Sequence, residues 1–143
     1  MARERDLGAG SLVGDTLRAR ALTAMAQAYA PYSGFRVGAA LLAGDGTIDA
    51  GCNVENAAYP AGICAERAAI AAAIVRGARG FDAIVIATDA EQPTPPCGMC
   101  RQVLLELAPE LEVHSITRGG ASARWMIADL LPDAFSPTSL GQP

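Results

Sequence analysis

Apolar positions recur along this chain at two spacings. In residues 11–30 they fall at Leu12, Val13, Leu17, Leu22, Met25 and Ala26, with Arg18, Arg20 and Gln27 between them. That spacing predicts an amphipathic helix, with Ser11 as candidate N-cap and Pro31 as its stop. Pro31-Tyr32-Ser33-Gly34 reads as a turn. Residues 36–43 and 47–54 read as two strands joined by a Gly44-Asp45-Gly46 hairpin turn. A loop rich in Ala, Tyr, Pro and Gly follows over 56–62. Residues 64–76 predict a helix whose small side chains (Ala65, Ala68, Ala69, Ala71, Ala72, Ala73) allow close packing, and Gly77 and Gly80 end it. The run Asp-Ala-Ile-Val-Ile-Ala-Thr over 82–88 is almost unbroken in its apolarity, as expected of a strand buried on both faces. After the proline-rich loop 89–96, a helix is expected over 98–107, with Val103, Leu104 and Leu107 facing inward. Strands are expected over 111–117 and 121–126, then a short turn or helix over 127–131 that Pro132 ends. A hairpin followed by strand-helix-strand units predicts an α/β fold with a mixed sheet and helices on both faces. A single domain is expected over 1–143, with 1–10 and 136–143 as peripheral arms.

Two short stretches stand out chemically. Cys64-Ala65-Glu66 opens the second predicted helix, and Pro96-Cys97-Gly98-Met99-Cys100 opens the third. A helix N-terminus carries free N–H groups and a partial positive charge, which favour thiolate over thiol. Three thiolates suit a zinc ion and leave its fourth position open to water, the catalytic arrangement. Glu66, two residues from a candidate ligand, is placed to move protons beside that water. Arg67 is placed to offset the excess negative charge of three thiolates on a divalent ion. Asn53 and Glu55 share one face of an extended segment, where an amide and a carboxylate can grip a sugar hydroxyl. Two other readings are compatible with these cysteines alone. Cys97 and Cys100 also match a redox pair, since such pairs favour a strand-to-helix junction. A structural zinc would need a fourth ligand, and Cys52 and His114, both in predicted strands, are poor candidates for one.

Composition narrows the choice. The chain has 143 residues, 51% of them hydrophobic, and a net charge of −4. Its basic residues are scattered and form no run, which argues against a nucleic-acid partner. The opening Met1-Ala2-Arg3-Glu4-Arg5-Asp6 has no apolar stretch behind it and does not read as a signal peptide, and no segment approaches a membrane span. A reducing cytoplasm therefore suits the four cysteines better than disulfides do.

Taken together, the motifs resemble those of cytidine deaminases. The likeness rests on Ala30-Pro31-Tyr32-Ser33, Phe35-Arg36-Val37-Gly38-Ala39-Ala40, the stretch from Gly51 through Cys52-Asn53-Val54-Glu55-Asn56 to Pro60, and Pro96-Cys97-Gly98-Met99-Cys100-Arg101-Gln102-Val103. C-x-E followed by P-C-x-x-C is the cysteine form of the zinc deaminase signature. The resemblance covers roughly residues 12–135 and implies a three-layer α-β-α fold with a mixed five-stranded sheet. It implies one Zn2+ per chain on Cys64, Cys97 and Cys100, with Glu66 as proton shuttle and Arg67 beside the ligands. It implies that Asn53 and Glu55 hold the ribose 3′-hydroxyl and that Phe35 lies near the nucleoside. Tyr59 and the backbone of Ala65 are expected to line the pocket, and Phe135 to enter a neighbouring subunit's site. Arg101 and Gln102 are expected to support the metal ligands. The implied activity is hydrolytic deamination of cytidine and deoxycytidine in pyrimidine salvage, by a homotetramer with shared sites. A deaminase of a modified cytosine nucleoside, such as an aminoacylated antibiotic, shares the zinc motifs. A zinc-binding module without activity is the reading outside enzymes, and the intact Glu66 argues against it. The stretch 118–126, with Gly119, Gly120 and Trp125, matches no specific pattern.

Overall fold

A computed structural model describes residues 6–143. Five strands form one sheet in the order β2-β1-β3-β4-β5. The strands are β1 (Val37–Ala43), β2 (Ile48–Cys52), β3 (Phe81–Thr88), β4 (Glu112–Thr117) and β5 (Ser122–Met126). Only the β3–β4 pair is parallel; the others are antiparallel. The parallel pair needs a crossover, and α3 (Gly98–Leu107) supplies it. This is the mixed five-stranded α/β architecture expected from the pattern.

Helices cover both faces, as the patterning requires. On one face α1 (Leu12–Ala26) packs Leu17, Ala21 and Met25 against Ala40, Leu42, Ala83, Val85 and Ile116. On the other, α2 (Ala65–Val75), α3 and the short α4 (Ile127–Leu130) enclose Leu41, Ile84, Ile86 and Val113. Strand β3 therefore contributes alternate residues to two cores, which explains its unbroken apolar run.

Local chemistry accounts for most boundaries. Ser11 caps α1, its Oγ accepting the Gly14 N–H at 3.1 Å. Gly77, at φ 98°, ends α2, with its N–H bonded to Ile74 O and the Ala78 N–H to Ala73 O. Some boundaries differ from expectation. Helix α1 ends at Ala26 instead of reaching Ala30, because the chain leaves it to pair with another segment. Tyr29 N–H donates to Asn53 O at 3.0 Å, and Glu55 N–H donates to Tyr29 O at 2.8 Å. Leu107 is 40% exposed, not inward-facing; the buried stripe of α3 runs through Cys100 and Leu104 to Ala108. Within the expected N-terminal arm, Leu7 is buried in the α1-side core, while residues 1–5 lie outside the described residues. The C-terminal arm holds a short 3-10 turn over Pro137–Leu140.

Two glycines set how closely helices approach the sheet. A Cβ on Gly38 would lie 2.0 Å from Ala21 O and 2.3 Å from Met25 N, so α1 rests directly on β1. A Cβ on Gly51 would lie 2.6 Å from both Ala65 O and Ala69 N, so α2 rests directly on β2 at its N-terminal end. No helix among the described residues is long and apolar enough to cross a membrane.

Replacing Gly51 with Ala pushes helix backbone away from strand backbone and should cost about 1–3 kcal/mol of stability, read as a lower urea midpoint. His114 yields a pH prediction. It is buried in β4, and burial, with help from Arg124 and Arg18, holds its pKa below 6.5 despite Glu112 alongside. The unfolded chain thus takes up the proton first as pH falls. Stability should be full above 6.5 and decline as pH drops from there towards the folded-state pKa. In His114→Phe that part of the decline should vanish from pH-dependent melting curves.

Candidate active site and metal centre

Two helices begin at the same place. Cys64 is the N-cap of α2 and Cys97 the N-cap of α3, both with extended backbone and neither using its side chain as a cap. Their sulfurs are therefore free to face each other. Cys100 lies one turn into α3 and is fully buried. The Cys64–Cys97 sulfurs are 3.7 Å apart and the Cys97–Cys100 sulfurs 3.4 Å, with all three within 4.8 Å. All are free thiols. A tetrahedral zinc with bonds of about 2.3 Å holds its sulfurs about 3.8 Å apart. Donor type and spacing both fit that ion. Among the described residues this is the only such cluster of potential metal ligands, and neither Cys52 nor His114 belongs to it.

The electrostatics favour ionised sulfur. Hydrogen bonds from Cys100, then Arg67 and Cys97, bring the Cys64 thiol down to about 5. That first thiolate, together with burial and the Glu66 carboxylate, pushes Cys100 upward. A divalent cation resolves the conflict by stabilising every thiolate at once. Arg67 Nη2 lies 3.7 Å from Cys64 Sγ, where its charge offsets part of the negative excess. Arg101 and Gln102 do otherwise than expected. Arg101 binds backbone, donating from Nε to Pro96 O at 2.7 Å and from Nη1 to Leu130 O at 2.9 Å. Gln102 Nε2 donates to Phe135 O at 2.8 Å. Both tie the start of α3 and the C-terminal segment together and make no hydrogen bond to sulfur.

The cluster opens onto a cavity of about 300 Å³. Cys64, Ala65, Glu66 and Cys97 form one part of its wall, and Phe35, Asn53 and Glu55 another. Glu66 is only 4% exposed, and burial first, then the Cys64 charge, raises its carboxyl above the ordinary range. A buried carboxyl with a raised pKa can both accept and return a proton. Asn53 Oδ1 accepts the Val37 N–H, and its Nδ2 donates to Phe35 O, each at 2.8 Å. Glu55 Oε1 accepts the N–H groups of Tyr32 and Ser33. The Ser33 hydroxyl bond to Glu55 first, then these N–H bonds, lower its pKa and keep it ionised.

Tyr59, expected in this pocket, lies beside it. Tyr59 is 75% exposed and lines an adjoining open cleft of about 370 Å³, edge-on to Tyr32 at 5.8 Å. Phe135 is 61% exposed and lines neither of these two cavities. The sequence reading missed Ser33, Val37, Ile86, Thr88, Thr94 and Pro95, all of which line the 300 Å³ cavity. Ser33, Thr94 and Pro95 have the residue types of turns and loops and Val37, Ile86 and Thr88 those of strands, and only the fold brings them to one cavity.

The described family "Cytidine and deoxycytidylate deaminase zinc-binding region" matches residues 14–114, a span containing all three clustered cysteines. A cytidine deaminase of Sporosarcina psychrophila is 46% identical over 127 residues, covering 88% of this chain and 93% of that protein. One from Mycobacterium tuberculosis is 43% identical over 120 residues, covering 83% and 86%. The crystal structure of the Burkholderia pseudomallei cytidine deaminase superposes with a TM-score of 0.82 at 47% identity, covering 85% of this chain and 98% of that one.

Removing one sulfur should disassemble the centre. Cys97→Ala is expected to fall from about one zinc per chain to near none by elemental analysis, since three ligands are the minimum for such a site. Unchanged zinc content would show that Cys97 is not a ligand.

Proposed function

Since the chain belongs to the cytidine and deoxycytidylate deaminase family, we propose that it hydrolyses the free nucleosides cytidine and deoxycytidine to uridine and deoxyuridine, releasing ammonia. The supporting observation is that Glu66, the asparagine–glutamate pair Asn53 and Glu55, and two sulfurs of the cluster, those of Cys64 and Cys97, line one small cavity. Cys64, Cys97 and Cys100 hold the zinc in this reading. When bound, zinc supplies Lewis acidity that brings the pKa of a water towards neutrality.

The chain's own residues do the rest. Phe35 offers a flat apolar face to the pyrimidine, and the Ala65 backbone at the start of α2 borders the ring. Asn53 and Glu55 receive the ribose. The ring's amino-bearing carbon then lies towards the sulfurs and Glu66. Glu66 takes the proton of the attacking water and passes it to the ring nitrogen beside that carbon. It then takes the proton of the hydroxyl newly added to that carbon and gives it to the departing amine as the carbonyl forms and ammonia leaves, so one carboxyl acts as base and acid. Arg67 holds the cluster's charge near neutral while this happens.

Charge supports a nucleoside over a nucleotide. The cavity wall carries two carboxyls, Glu55 and Glu66, and no Arg or Lys among its lining residues. A phosphate would meet no counter-charge there and would lose its hydration. A larger cytosine nucleoside is the second reading. It is favoured by the adjoining cleft, which shares Ser33 and Glu55 with the cavity and would receive an added group.

Three free thiols at one site suit a reducing compartment, so a cytoplasmic salvage role fits. The exposed apolar side chains Tyr59, Met99, Phe135 and Leu140 support association of copies as a homotetramer, with Phe135 entering a neighbour's site. No nucleic-acid or membrane partner is part of this reading.

Glu66→Gln should keep its zinc and lose about 10²–10⁴-fold in kcat, followed as loss of cytidine ultraviolet absorbance. Turnover near wild type would remove Glu66 from the mechanism. Cytidine 5′-phosphate, offered beside cytidine, should be turned over poorly or not at all; comparable kcat/KM values would refute the nucleoside reading. An aminoacylated cytosine nucleoside preferred over cytidine would favour the second reading.

A further inference from the structure

The turn Pro31-Tyr32-Ser33-Gly34 joins helix to strand, yet its polar groups are spent on the cavity. Ser33 Oγ lies 2.5 Å from Glu55 Oε2. Glu55 is ionised, so the serine hydroxyl must be the donor. The same Oγ accepts the Phe35 N–H at 3.0 Å. Ser33 N–H donates to the other carboxylate oxygen at 3.1 Å, and Tyr32 N–H joins it at 3.0 Å. Phe35 is held at its other end too, its carbonyl accepting Asn53 Nδ2 at 2.8 Å.

These bonds form one connected path from Glu55 through Ser33 and Phe35 to Asn53. Each oxygen of Glu55 is already engaged, which fixes the rotation of the carboxylate about its last torsion. Two N–H groups occupy Oε1 and one hydroxyl occupies Oε2, so the one lone pair left unused lies on Oε2 and points in one direction. An acceptor-only group held in this way suits a hydroxyl donor. The Phe35 bond alone would be an ordinary serine turn. The hydroxyl proton, directed at Glu55 from a residue 22 positions away in sequence, goes beyond one.

We propose that Ser33 is a positioning residue, whose hydroxyl orients Glu55 towards the ribose 3′-hydroxyl and fixes Phe35 in register with it. This deepens the nucleoside reading and rests on it. Ser33 need not touch the substrate. Its effect reaches the substrate through Glu55, and so belongs to binding of the sugar, not to proton transfer at Glu66.

The test compares Ser33→Ala and Ser33→Thr with wild type on cytidine and on 3′-deoxycytidine, with zinc content and melting temperature measured for each. Ser33→Ala should raise KM for cytidine about tenfold while kcat stays within about twofold, the loss of one hydrogen bond to a charged group. KM for 3′-deoxycytidine should change far less, because the contact that Ser33 orients is already missing. Ser33→Thr keeps the hydroxyl and should restore most of the cytidine KM. Equal losses on both substrates, a fall in kcat alone, or no change would each overturn the positioning role. Wild-type protein that deaminates neither nucleoside would overturn the functional reading and this inference with it. Wild-type turnover with an unselective Ser33→Ala would remove this inference alone.

Discussion

Two helices must start within a few ångströms of each other for the site to exist. Cys64 and Cys97 are N-caps of α2 and α3, and their sulfurs meet because both helices open towards one point beside β3. The sheet makes this possible. Gly51 lets the first turns of α2 settle onto β2 without a side chain between them. The parallel β3–β4 pair forces α3 to begin where the loop after β3 turns back. Hydrogen bonds from Cys100, then Arg67 and Cys97, acidify Cys64, and the two helix ends place partial positive charge beside it. The cluster is therefore electrostatically prepared for a cation before any is bound.

The other wall of the cavity is built on a different principle. It has little regular structure: the segment after α1 pairs with residues 53–55, and these pair with Ile63. Its polar groups satisfy one another through Asn53, Glu55 and the turn at Ser33. Such mutual bonding costs little on substrate arrival, since the groups are already in place. The two walls also differ in their response to burial. Glu66 is deep and its carboxyl is pushed up, while Glu55 is bathed in donors and its carboxyl is pulled down. One carboxyl is thereby suited to exchange protons and the other to remain a fixed acceptor.

Several side chains hold the frame without meeting the chemistry. Arg101 bridges Pro96 and Leu130 through their carbonyls, and Gln102 holds the carbonyl of Phe135. The C-terminal segment is thus latched to the helix that begins at Cys97. Arg76 does comparable work at the far end of α2, binding Asp49 at 2.8 Å and Asp45 at 3.3 Å on the β1–β2 hairpin. These exposed pairs add little stability singly, but they join elements distant in sequence.

Among the described residues, periodicity and spacing were enough to locate the five strands and α1 to α4, because each has one or two faces in a core and the apolar pattern records them. The short 3-10 turns at Tyr59–Ala61 and Pro137–Leu140 left no such record. The three cysteines, Glu66 and Arg67 were legible for a related reason: their spacing within each motif is short and places them at helix starts. Asn53 and Glu55 were legible as a pair on one face. What remained hidden depends on contacts between distant segments. The end of α1 is decided by Tyr29 pairing with Asn53 and Glu55, which no local signal announces. Arg101 reads like any basic residue after a ligand, and only the folded chain brings Leu130 O within its reach. Ser33 and Thr88 carry the signature of a turn and a strand end, and their place on the cavity wall arises from how the sheet aligns them. The sequence by itself determined the elements and the two cysteine motifs at helix starts, because both are written in spacings shorter than a helix. The tertiary structure alone decided the cavity, its inner polar network and the latching of the tail, because those are distances between residues that the chain separates widely.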